Sequence, residues 1–489
     1  MKLACNPGPL LAAVFCLAAG PAAGDDGPYV IEPVPVPDGV VLEVGALELL
    51  PDGRLAVGTR RGEVWLVTGA GGDDPDQVAF DLHASGLHEI LGLAWREDGL
   101  YLTQRPELTR LRDLNGDGRA DAFDTVSDFW HINGDYHEYA FGSRFTPDGE
   151  IWVTLCLTGS FNSQVPFRGW AVRIDPDKGT TTPVAHGIRS PGGMGINAAG
   201  DVFYCDNQGP WNGSSALKHL RPGSFQGHPA GNRWFEITDA LGERPPDPES
   251  GSRIEDQRRR IPNFVPPAVV LPHGKLGQSP TGIVCDLTDG AFGPFKEQLF
   301  AAEQTHSQVQ RVFLEQVNGV YQGAAFPFLS GFASGNTAVA LGADGVLYVG
   351  GSDRGWGARG GRRWNLERVR WDGGTPFEVL EMRVRPDGFE LVFTEPVERD
   401  SAADAASYHM EAYTYIYRSE YGSPEVDQVE PGLEVLEVSD DGRRVVLKVE
   451  PMTRGHVHDL RLPGIRAAGD GRALLNPRAW YTLNEIPGT

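Results

Sequence analysis

An acidic segment between residues 113 and 124 has the spacing of a calcium-binding loop. Such loops place side-chain oxygen ligands at positions 1, 3, 5, 9 and 12, a backbone carbonyl at position 7 and a glycine at position 6. The matching ligands are Asp113, Asn115, Asp117, Arg119 through its carbonyl, Asp121 and Asp124. Asp124 departs from the pattern, because a bidentate Glu is usual at the last position. The spacing predicts a structural Ca²⁺ ion, and an acidic turn without metal is the alternative.

Polar side chains also recur where short β-type runs begin or end. A dense polar set is unusual in an apolar repeat and favours a ligand site. The members that precede a run are Glu89, His137, Arg189, Gln278 and Asn336, and those that follow one are Arg60, Gln104, Arg105, Asn207, Gln208, Gln304, His306 and Arg354. One alternative is a water-filled channel that tolerates polar residues. Another is a metal site at His137 or His306, with Glu138 and Gln304 nearby in the sequence.

The elements that must position these side chains are repeated hairpins. A β-run, a tight turn and a second β-run recur six times before residue 373, as at residues 49–57, 145–153 and 341–349. The turns usually contain Asp-Gly or Ala-Gly, a strong hairpin signal because glycine adopts the positive φ that the turn requires. Another β-like run follows each hairpin. The repeat therefore predicts an all-β fold built on a six-bladed β-propeller.

The predicted propeller also places the polar set. The turns between first and second strands lie at one face of the ring, so residues entering the first strand and leaving the second share the opposite mouth. An insertion at residues 221–279 is rich in Pro, Gly and charge, and we expect a long loop there. We assign residues 25–373 to the propeller. Residues 374–489 alternate like half-buried strands and predict an immunoglobulin-like β-sandwich with an accessory or binding role.

Composition and the start of the chain restrict the function classes. Residues 1–24 combine a basic start, an apolar run and small residues before an acidic stretch, a pattern typical of a signal peptide, so we expect a periplasmic or secreted protein without a membrane span. A net charge of −23 argues against nucleic acid as a partner. Cys156, Cys205 and Cys285 form no disulfide framework or haem motif, and we expect buried thiols.

Several motifs resemble those of soluble glucose/sorbosone dehydrogenases, six-bladed propellers that use pyrroloquinoline quinone (PQQ) and calcium. The similar segments are residues 136–153, 189–195, 208–210 and 224–229. Residues 135–138, residues 351–357 and the acidic loop are also similar to an exported branch of membrane-bound-dehydrogenase-like propellers, some of which carry a haem segment. That haem motif is not in this sequence. The resemblance covers most of residues 40–372.

The resemblance implies roles for individual residues. His137 would remove a hydroxyl proton as general base, and Arg189 would stabilise negative charge on the quinone. Gly209 and Pro210 would offer backbone carbonyls to the cofactor's calcium. The other cofactor-binding candidates are Gln104, Arg105, Asn207, Gln208, Gln304, His306, Asn336 and Arg354. Ser190 and the pair Ser214-Ser215 depart from the family, which has Asn and an acidic pair there.

Three functions are compatible with these patterns. The leading hypothesis is an exported, quinoprotein-like dehydrogenase that oxidises a sugar or polyol and passes electrons to an external acceptor. The second is a carbohydrate-active lyase or hydrolase at the same mouth. The third is a non-enzymatic propeller that binds carbohydrate or a cell surface. A requirement for PQQ separates the first hypothesis from the other two.

Overall fold

The computed structural model describes residues 27–157 and 163–488, so the expected signal peptide lies outside the described residues. Strands dominate these ranges, which confirms the all-β class. The helical segments are short: α-helices at Ile254–Arg260 and Arg399–Ala403, and 3-10 helices at Pro75–Gln77, Pro229–Glu236 and Ala405–Ser407. None of the helices in the described ranges has the length and apolar character that crossing a membrane requires.

Six sheets contain the described strands up to Trp371, and each sheet starts with the strand that precedes a predicted hairpin turn. The first sheet contains Val44–Leu49, Leu55–Thr59, Val64–Thr68 and Ala79–Ala84, and the second Leu93–Arg96, Gly99–Thr103, Leu108–Arg112 and Ala122–Ser127. The third contains Ala140–Phe145, Ile151–Leu155, Trp170–Asp175, Thr180–His186 and Ser224–Phe225, and the fourth Pro191–Ile196, Val202–Asp206, Ser215–His219 and Val269–Leu271. The fifth contains Pro280–Cys285, Leu299–Glu303, Gln308–Val317 and Val320–Ser330, and the sixth Ala338–Leu341, Leu347–Ser352, Trp364–Trp371 and Tyr29–Pro33.

The six sheets are arranged in a closed ring. The first strand of each sheet contacts the first strand of the next, and the first strand of the sixth sheet contacts that of the first. The second strand of every sheet is buried along its whole length, because neighbouring sheets cover both of its faces. This burial explains why runs such as residues 151–155 are mostly apolar, with Thr154 as the one polar member, rather than alternating.

The N-terminal strand closes the ring. Tyr29–Pro33 pairs antiparallel with Trp364–Trp371 and becomes the outermost strand of the sixth sheet. The sixth sheet therefore combines strands from both ends of the repeat region. The repeats alone did not predict this pairing, because the segment lies outside the hairpin pattern.

Glycines in the first strands let neighbouring sheets approach closely around the ring axis. A Cβ atom on Gly193 would lie 2.6 Å from the backbone nitrogen of Gly282, and one on Gly92 would lie 2.8 Å from the Cα of Gly142. Gly193 also follows a register shift that begins at Pro191, as expected for a β-bulge that re-aims the start of a strand. These glycines are needed for space, since no side chain fits between the strands.

The insertion at residues 221–279 differs from the expected long loop. It contains helix Ile254–Arg260 and returns as Val269–Leu271, the fourth strand of the fourth sheet. Phe225, Ile261 and Phe264 of the insertion form a small buried cluster with Tyr417. Apolar residues at these positions let the segment fold against the C-terminal part of the chain. The high Pro, Gly and charge content indicated a loop and gave no sign of that packing.

The C-terminal part forms a second core beside the ring. Val379–Arg385, Gly388–Phe393, Arg444–Glu450 and Gly432–Val438 form a four-stranded sheet, and the remaining strands are His409–Tyr415, Glu425–Val429, His456–Arg461 and Arg478–Leu483. The latter group extends the fifth sheet to eight strands, because Val320–Ser330 pairs with Arg478–Leu483. The C-terminal strands are therefore hydrogen-bonded to the ring.

The three cysteines are free and buried, as the sequence predicts. Burial raises the pKa of the Cys156 thiol to about 11 and that of Cys285 to about 12, and it also raises the pKa of Cys205. A raised pKa keeps the nucleophilic thiolate scarce at neutral pH. We therefore assign these residues to packing.

Candidate functional site

A cavity of about 530 Å³ opens at the face of the ring opposite the hairpin turns. Its lining comes from the starts of first strands and the ends of second strands, the two positions that the sequence singles out. The predicted residues that line it are His137, Arg189, Asn207, Gln208, Pro210, Gln304 and Arg354. Arg60 and Gln278 of the same polar set line it as well. Among the predicted residues, the structure thus brings together one histidine, three arginines and several amides.

Five of the predicted cofactor-binding residues lie outside the cavity lining: Gln104, Arg105, Gly209, His306 and Asn336. Gln104 is buried and donates a hydrogen bond to Thr109 Oγ1 over 2.6 Å. Asn336 is also buried and accepts a hydrogen bond from Asn365. Because these amides bond to the protein, they hold strand ends together. His306 lies near Glu303 and Arg359, whose charges act on its imidazole.

Arg105 supports the segment that carries His137. Its guanidinium donates to the carbonyl oxygens of Asp135, at 2.7 Å, and Tyr136, at 3.0 Å. It also forms an ion pair with Glu89 and lies over the ring of Tyr139, 4.9 Å from the centroid. The side chain that the sequence assigns to cofactor binding therefore fixes the approach to the first strand of the third sheet.

His137 sits at the cavity wall among aromatic rings. Its ring lies 5.0 Å from that of Tyr136, 5.9 Å from Trp356 and 6.4 Å from Tyr139, measured between centroids. Burial lowers the pKa of His137 below its ordinary value, with Asp135 opposing this and the charges of Arg189 and Arg105 adding to it. The imidazole is therefore neutral at neutral pH and able to accept a proton.

Arg189 presents a charged group to the cavity. Among residues 27–157 and 163–488, the guanidinium has neither an ion-pair partner nor a hydrogen-bond acceptor. It packs against the backbone of Gly209, where a Cβ atom would lie 2.3 Å from its Cζ, and over the ring of Tyr421 at 5.3 Å. Its backbone is held by Asp206, which accepts hydrogen bonds from the N–H groups of Arg189 and Ser190. This charge faces the cavity and is available to an anionic group.

The described cavity lining contains three arginines although the chain as a whole is acidic. Arg60 is paired with Glu89 at 2.6 Å and Arg354 with Glu43 at 2.9 Å, and neither carboxylate lines the cavity. In the described part of the chain the lining contains no Asp or Glu at all. Because the net charge is −23, this local excess of arginine favours an anionic ligand at the mouth.

The cavity lining also includes His273, Trp356 and Tyr421, which the sequence reasoning did not assign to the site. Trp356 follows the last second strand within residues 351–357, so the strand-end pattern contained a signal for it. His273 lies in the insertion and could not be placed without its fold. Tyr421 belongs to the C-terminal part, to which the sequence assigned no chemistry. Burial lowers the pKa of His273, and nearby His306 adds to this effect.

The acidic loop is ordered by its own side chains. Asp113 accepts hydrogen bonds from the N–H group of Gly116 at 2.7 Å and from that of Gly118 at 2.8 Å. Asp124 lies on strand Ala122–Ser127 and forms ion pairs with Arg112 at 2.7 Å and Arg110 at 3.1 Å. No group of three or more His, Cys, Asp or Glu residues in the described ranges could hold a metal ion. The Ca²⁺ site at this loop stays a prediction.

A calcium ion at Gly209 and Pro210, as the resemblance implies, does not fit the residues present. The carbonyl oxygen of Gly209 already accepts hydrogen bonds from the N–H groups of Asn212 and Gly422, each at 3.1 Å. The Arg189 guanidinium lies against the same glycine and repels a cation. The carboxylates that a Ca²⁺ ion prefers are missing from the described lining. We therefore assign no calcium to the mouth.

Comparisons with known proteins define first the fold and then the family. A glucose dehydrogenase-type oxidoreductase from Thermus thermophilus is 21% identical, with a TM-score of 0.50, and the alignment covers 70% of this chain and 99% of that one. The PQQ-bound aldose sugar dehydrogenase of Streptomyces coelicolor is 18% identical, with a TM-score of 0.47 and coverage of 72% and 100%. The PQQ domain of pyranose dehydrogenase from Coprinopsis cinerea is 14% identical, with a TM-score of 0.48 and coverage of 71% and 96%.

The chain thus has the β-propeller fold of sugar dehydrogenases, which confirms the resemblance predicted from the motifs. Residues 73–350, more than half of the chain, match the family described as "Domain of unknown function (DUF7133)". The chain belongs to that family. Curated proteins gave no match.

Proposed function

We propose that this protein is an exported, PQQ-type dehydrogenase that oxidises a hydroxyl group of a sugar or polyol at the propeller mouth. The observation that carries the proposal is the shared cavity of His137 and Arg189. A neutral imidazole and a guanidinium that has no ion-pair partner among the described residues face one cavity, where they supply a proton acceptor and an anion-stabilising charge. The fold relative from Thermus thermophilus suggests the chemical class, since its name is that of a glucose dehydrogenase.

We further propose an architecture for the ring and for the C-terminal part. Each of the six sheets in the ring is a blade, which makes a six-bladed propeller with its site on the axis. The C-terminal strands form an immunoglobulin-like sandwich. The signal peptide at residues 1–24 directs the chain to the periplasm or the cell exterior, where electrons leave to an external acceptor.

The described residues of the cavity fit PQQ, a planar quinone with carboxylate groups. Arg189 offers a planar donor that matches a carboxylate, and Trp356 offers an aromatic face for a flat ring. Bound there, PQQ supplies the two-electron oxidant for alcohol oxidation. No carboxylate of the described lining opposes the negative charge of PQQ.

The protein's own residues would perform the proton chemistry. His137 Nε2 or Nδ1 accepts the hydroxyl proton of the substrate as the adjacent C–H bond is broken. Partial burial among the aromatic rings lowers the pKa of His137 and keeps its imidazole neutral until that step. Arg189 holds an anionic oxygen at the other side of the cavity. The departures at Ser190 and Ser214-Ser215 do not alter these two roles.

Binding of PQQ tests the proposal without reference to activity. We expect saturable quenching of tryptophan fluorescence when the full chain is titrated with PQQ, because Trp356 lies in the cavity. Arg189→Gln should bind PQQ about tenfold or more weakly, since a hydrogen bond to a charged group contributes roughly 1.5–3 kcal/mol. Arg383→Gln is the control, because Arg383 lies on the C-terminal four-stranded sheet. Equal affinity of wild type and Arg189→Gln would contradict the proposed site.

A sugar panel then distinguishes the competing functions. PQQ-loaded protein should oxidise a sugar only when a redox dye is present. Release of product from a glycan without any electron acceptor would indicate a lyase or hydrolase. Sugar binding without turnover would indicate a binding propeller.

A further inference from the structure

A loop of the C-terminal part forms one wall of the cavity. This loop, residues 416–424, connects His409–Tyr415 to Glu425–Val429 and places Tyr421 in the cavity lining. Tyr421 forms an isolated antiparallel β-bridge with Pro210, and the centroid of its ring lies 5.3 Å from the Cζ of Arg189. The family match ends at residue 350, so this wall lies outside it.

Backbone hydrogen bonds fix the loop to the mouth. The N–H of Gly422 donates to the carbonyl of Gly209 over 3.1 Å, and the N–H of Trp211 donates to that of Arg418 over 2.7 Å. Gly422 has a φ of +62°, and a Cβ atom there would lie 2.9 Å from the side chain of Gln208. Such close contact leaves little freedom for the loop to move away from the cavity.

The packing behind the loop is equally firm. Tyr417 is buried against Phe225 and Phe264 of the insertion, and its hydroxyl donates to the carbonyl of Gly227. The strands of the C-terminal part are continuous with the fifth sheet of the ring through Val320–Ser330. The loop is thus held from two sides, by the insertion and by a shared sheet.

Tyr421 itself remains open despite this anchoring. Its side chain is 64% exposed, although the glycine after it is buried. The Arg189 Cζ lies over the ring, 5.3 Å from its centroid, and the exposed part of the ring is open to a ligand. A rigidly held aromatic face beside polar donors suits a sugar ring, whose C–H groups pack on the aromatic face while its hydroxyls reach hydrogen-bonding groups. Gln208 and Asn207 are the nearby cavity residues able to meet those hydroxyls.

We infer that Tyr421 is a specificity-determining residue that receives the ring of a pyranose substrate, so that the C-terminal part completes the site. This inference rests on the proposed function for its substrate class. It gives the sandwich a direct role at the mouth instead of an accessory one. The loop that carries Tyr421 selects among sugars, while His137 performs proton transfer.

Binding of non-oxidisable pyranosides tests this role. The probes are methyl β-glucopyranoside and methyl β-galactopyranoside, whose anomeric oxygen is blocked, measured by calorimetry on the full PQQ-treated chain. Tyr421→Ala should bind the preferred probe about three- to tenfold more weakly, as expected for loss of one aromatic contact. Tyr421→Phe should retain the affinity, and Glu420→Ala, an exposed neighbour in the same loop, is the matched control.

The outcomes separate this inference from the proposed function. PQQ binding with equal pyranoside affinity in wild type and Tyr421→Ala would overturn the role of Tyr421 alone. Pyranoside binding that depends on Tyr421, without any PQQ binding, would support the sugar platform and refute the quinone. Failure of the wild type to bind either pyranoside would overturn the inference. Circular dichroism of each variant confirms that the fold is retained.

Discussion

At the scale of residues, a neutral imidazole, His137, and a charged guanidinium, Arg189, define the site. The imidazole of His137 is kept neutral by burial and by the nearby charge of Arg189, whereas Arg189 keeps its own charge exposed to the cavity. The positive charge of Arg189 disfavours protonation of His137. The neutral imidazole in turn adds no negative charge that would pair with Arg189.

This electrostatic coupling predicts a measurable pKa change. In wild type the pKa of His137 lies below 6.5, and Arg189→Gln should raise it, because one of the charges that disfavours the imidazolium is removed. An NMR titration of the His137 ring protons, identified by comparison with His137→Ala, measures both values. The acid limb of sugar oxidation should fall as pH drops through the same pKa. A His137 pKa that is unchanged in Arg189→Gln would contradict the coupling.

Sequence reasoning found the central residues but not all of their surroundings. His137 and Arg189 were visible because the strand-end pattern fixes which face a residue occupies. Arg105 and Asn336 share that pattern, yet the structure uses them to bind backbone and buried amides. A side chain at a strand end can point into the cavity or along its own sheet, depending on neighbours from other sheets. The spacing of residues in the sequence does not specify those neighbours.

At the scale of elements, glycines determine how closely the sheets approach the axis. Gly193→Ala would place a Cβ atom 2.6 Å from Gly282, on backbone that cannot yield without moving a strand. We expect a loss of about 1–3 kcal/mol in the free energy of unfolding, the usual cost of overpacking. Chemical denaturation measures it. Gly432→Ala is the control, because the nearest atom there is 3.6 Å away, and an equal effect of both substitutions would refute the spatial argument.

The acidic loop makes a second prediction at this scale. If residues 113–124 bind Ca²⁺, adding it should raise the melting temperature, and a chelator should reverse the rise. Asp113→Asn should abolish the response. Asp128→Asn, an acidic neighbour outside the loop, should leave it intact. A melting temperature that ignores Ca²⁺ would instead assign the loop's side chains to the turn and to the arginine pairs seen at Asp124.

At the scale of the whole molecule, the ring and the C-terminal part share one sheet and a buried ion pair. Arg311, on the fifth sheet, is fully buried and contacts Glu378 at 3.1 Å. Burial raises the pKa of Glu378, and the charge of Arg311 partly offsets this. Glu378 lies after the last ring strand, Trp364–Trp371, so the ion pair links the C-terminal part to the fifth sheet. The sequence showed the change in strand pattern after residue 374, but pairing between distant strands required the fold.

Breaking that ion pair should destabilise the entire molecule. Glu378→Ala leaves the Arg311 charge buried without its partner, for which we expect a loss of about 3–5 kcal/mol. The transition should remain cooperative, because the eight-stranded sheet joins both parts. Glu381→Ala removes a partly exposed pair with Arg383 and should cost under about 1 kcal/mol. Two separate unfolding transitions in wild type would contradict this coupling.

The most direct test of the account is the anaerobic reduction of bound PQQ by a sugar at the propeller mouth. The full chain is loaded with PQQ, glucose or another aldose is added, and the absorbance of the reduced quinone is followed. We predict that wild type develops this absorbance, and that His137→Ala binds PQQ equally well but reduces it at least about a hundredfold more slowly. Wild-type protein that binds PQQ but shows no reduction with any sugar, or an unimpaired His137→Ala, would contradict the account.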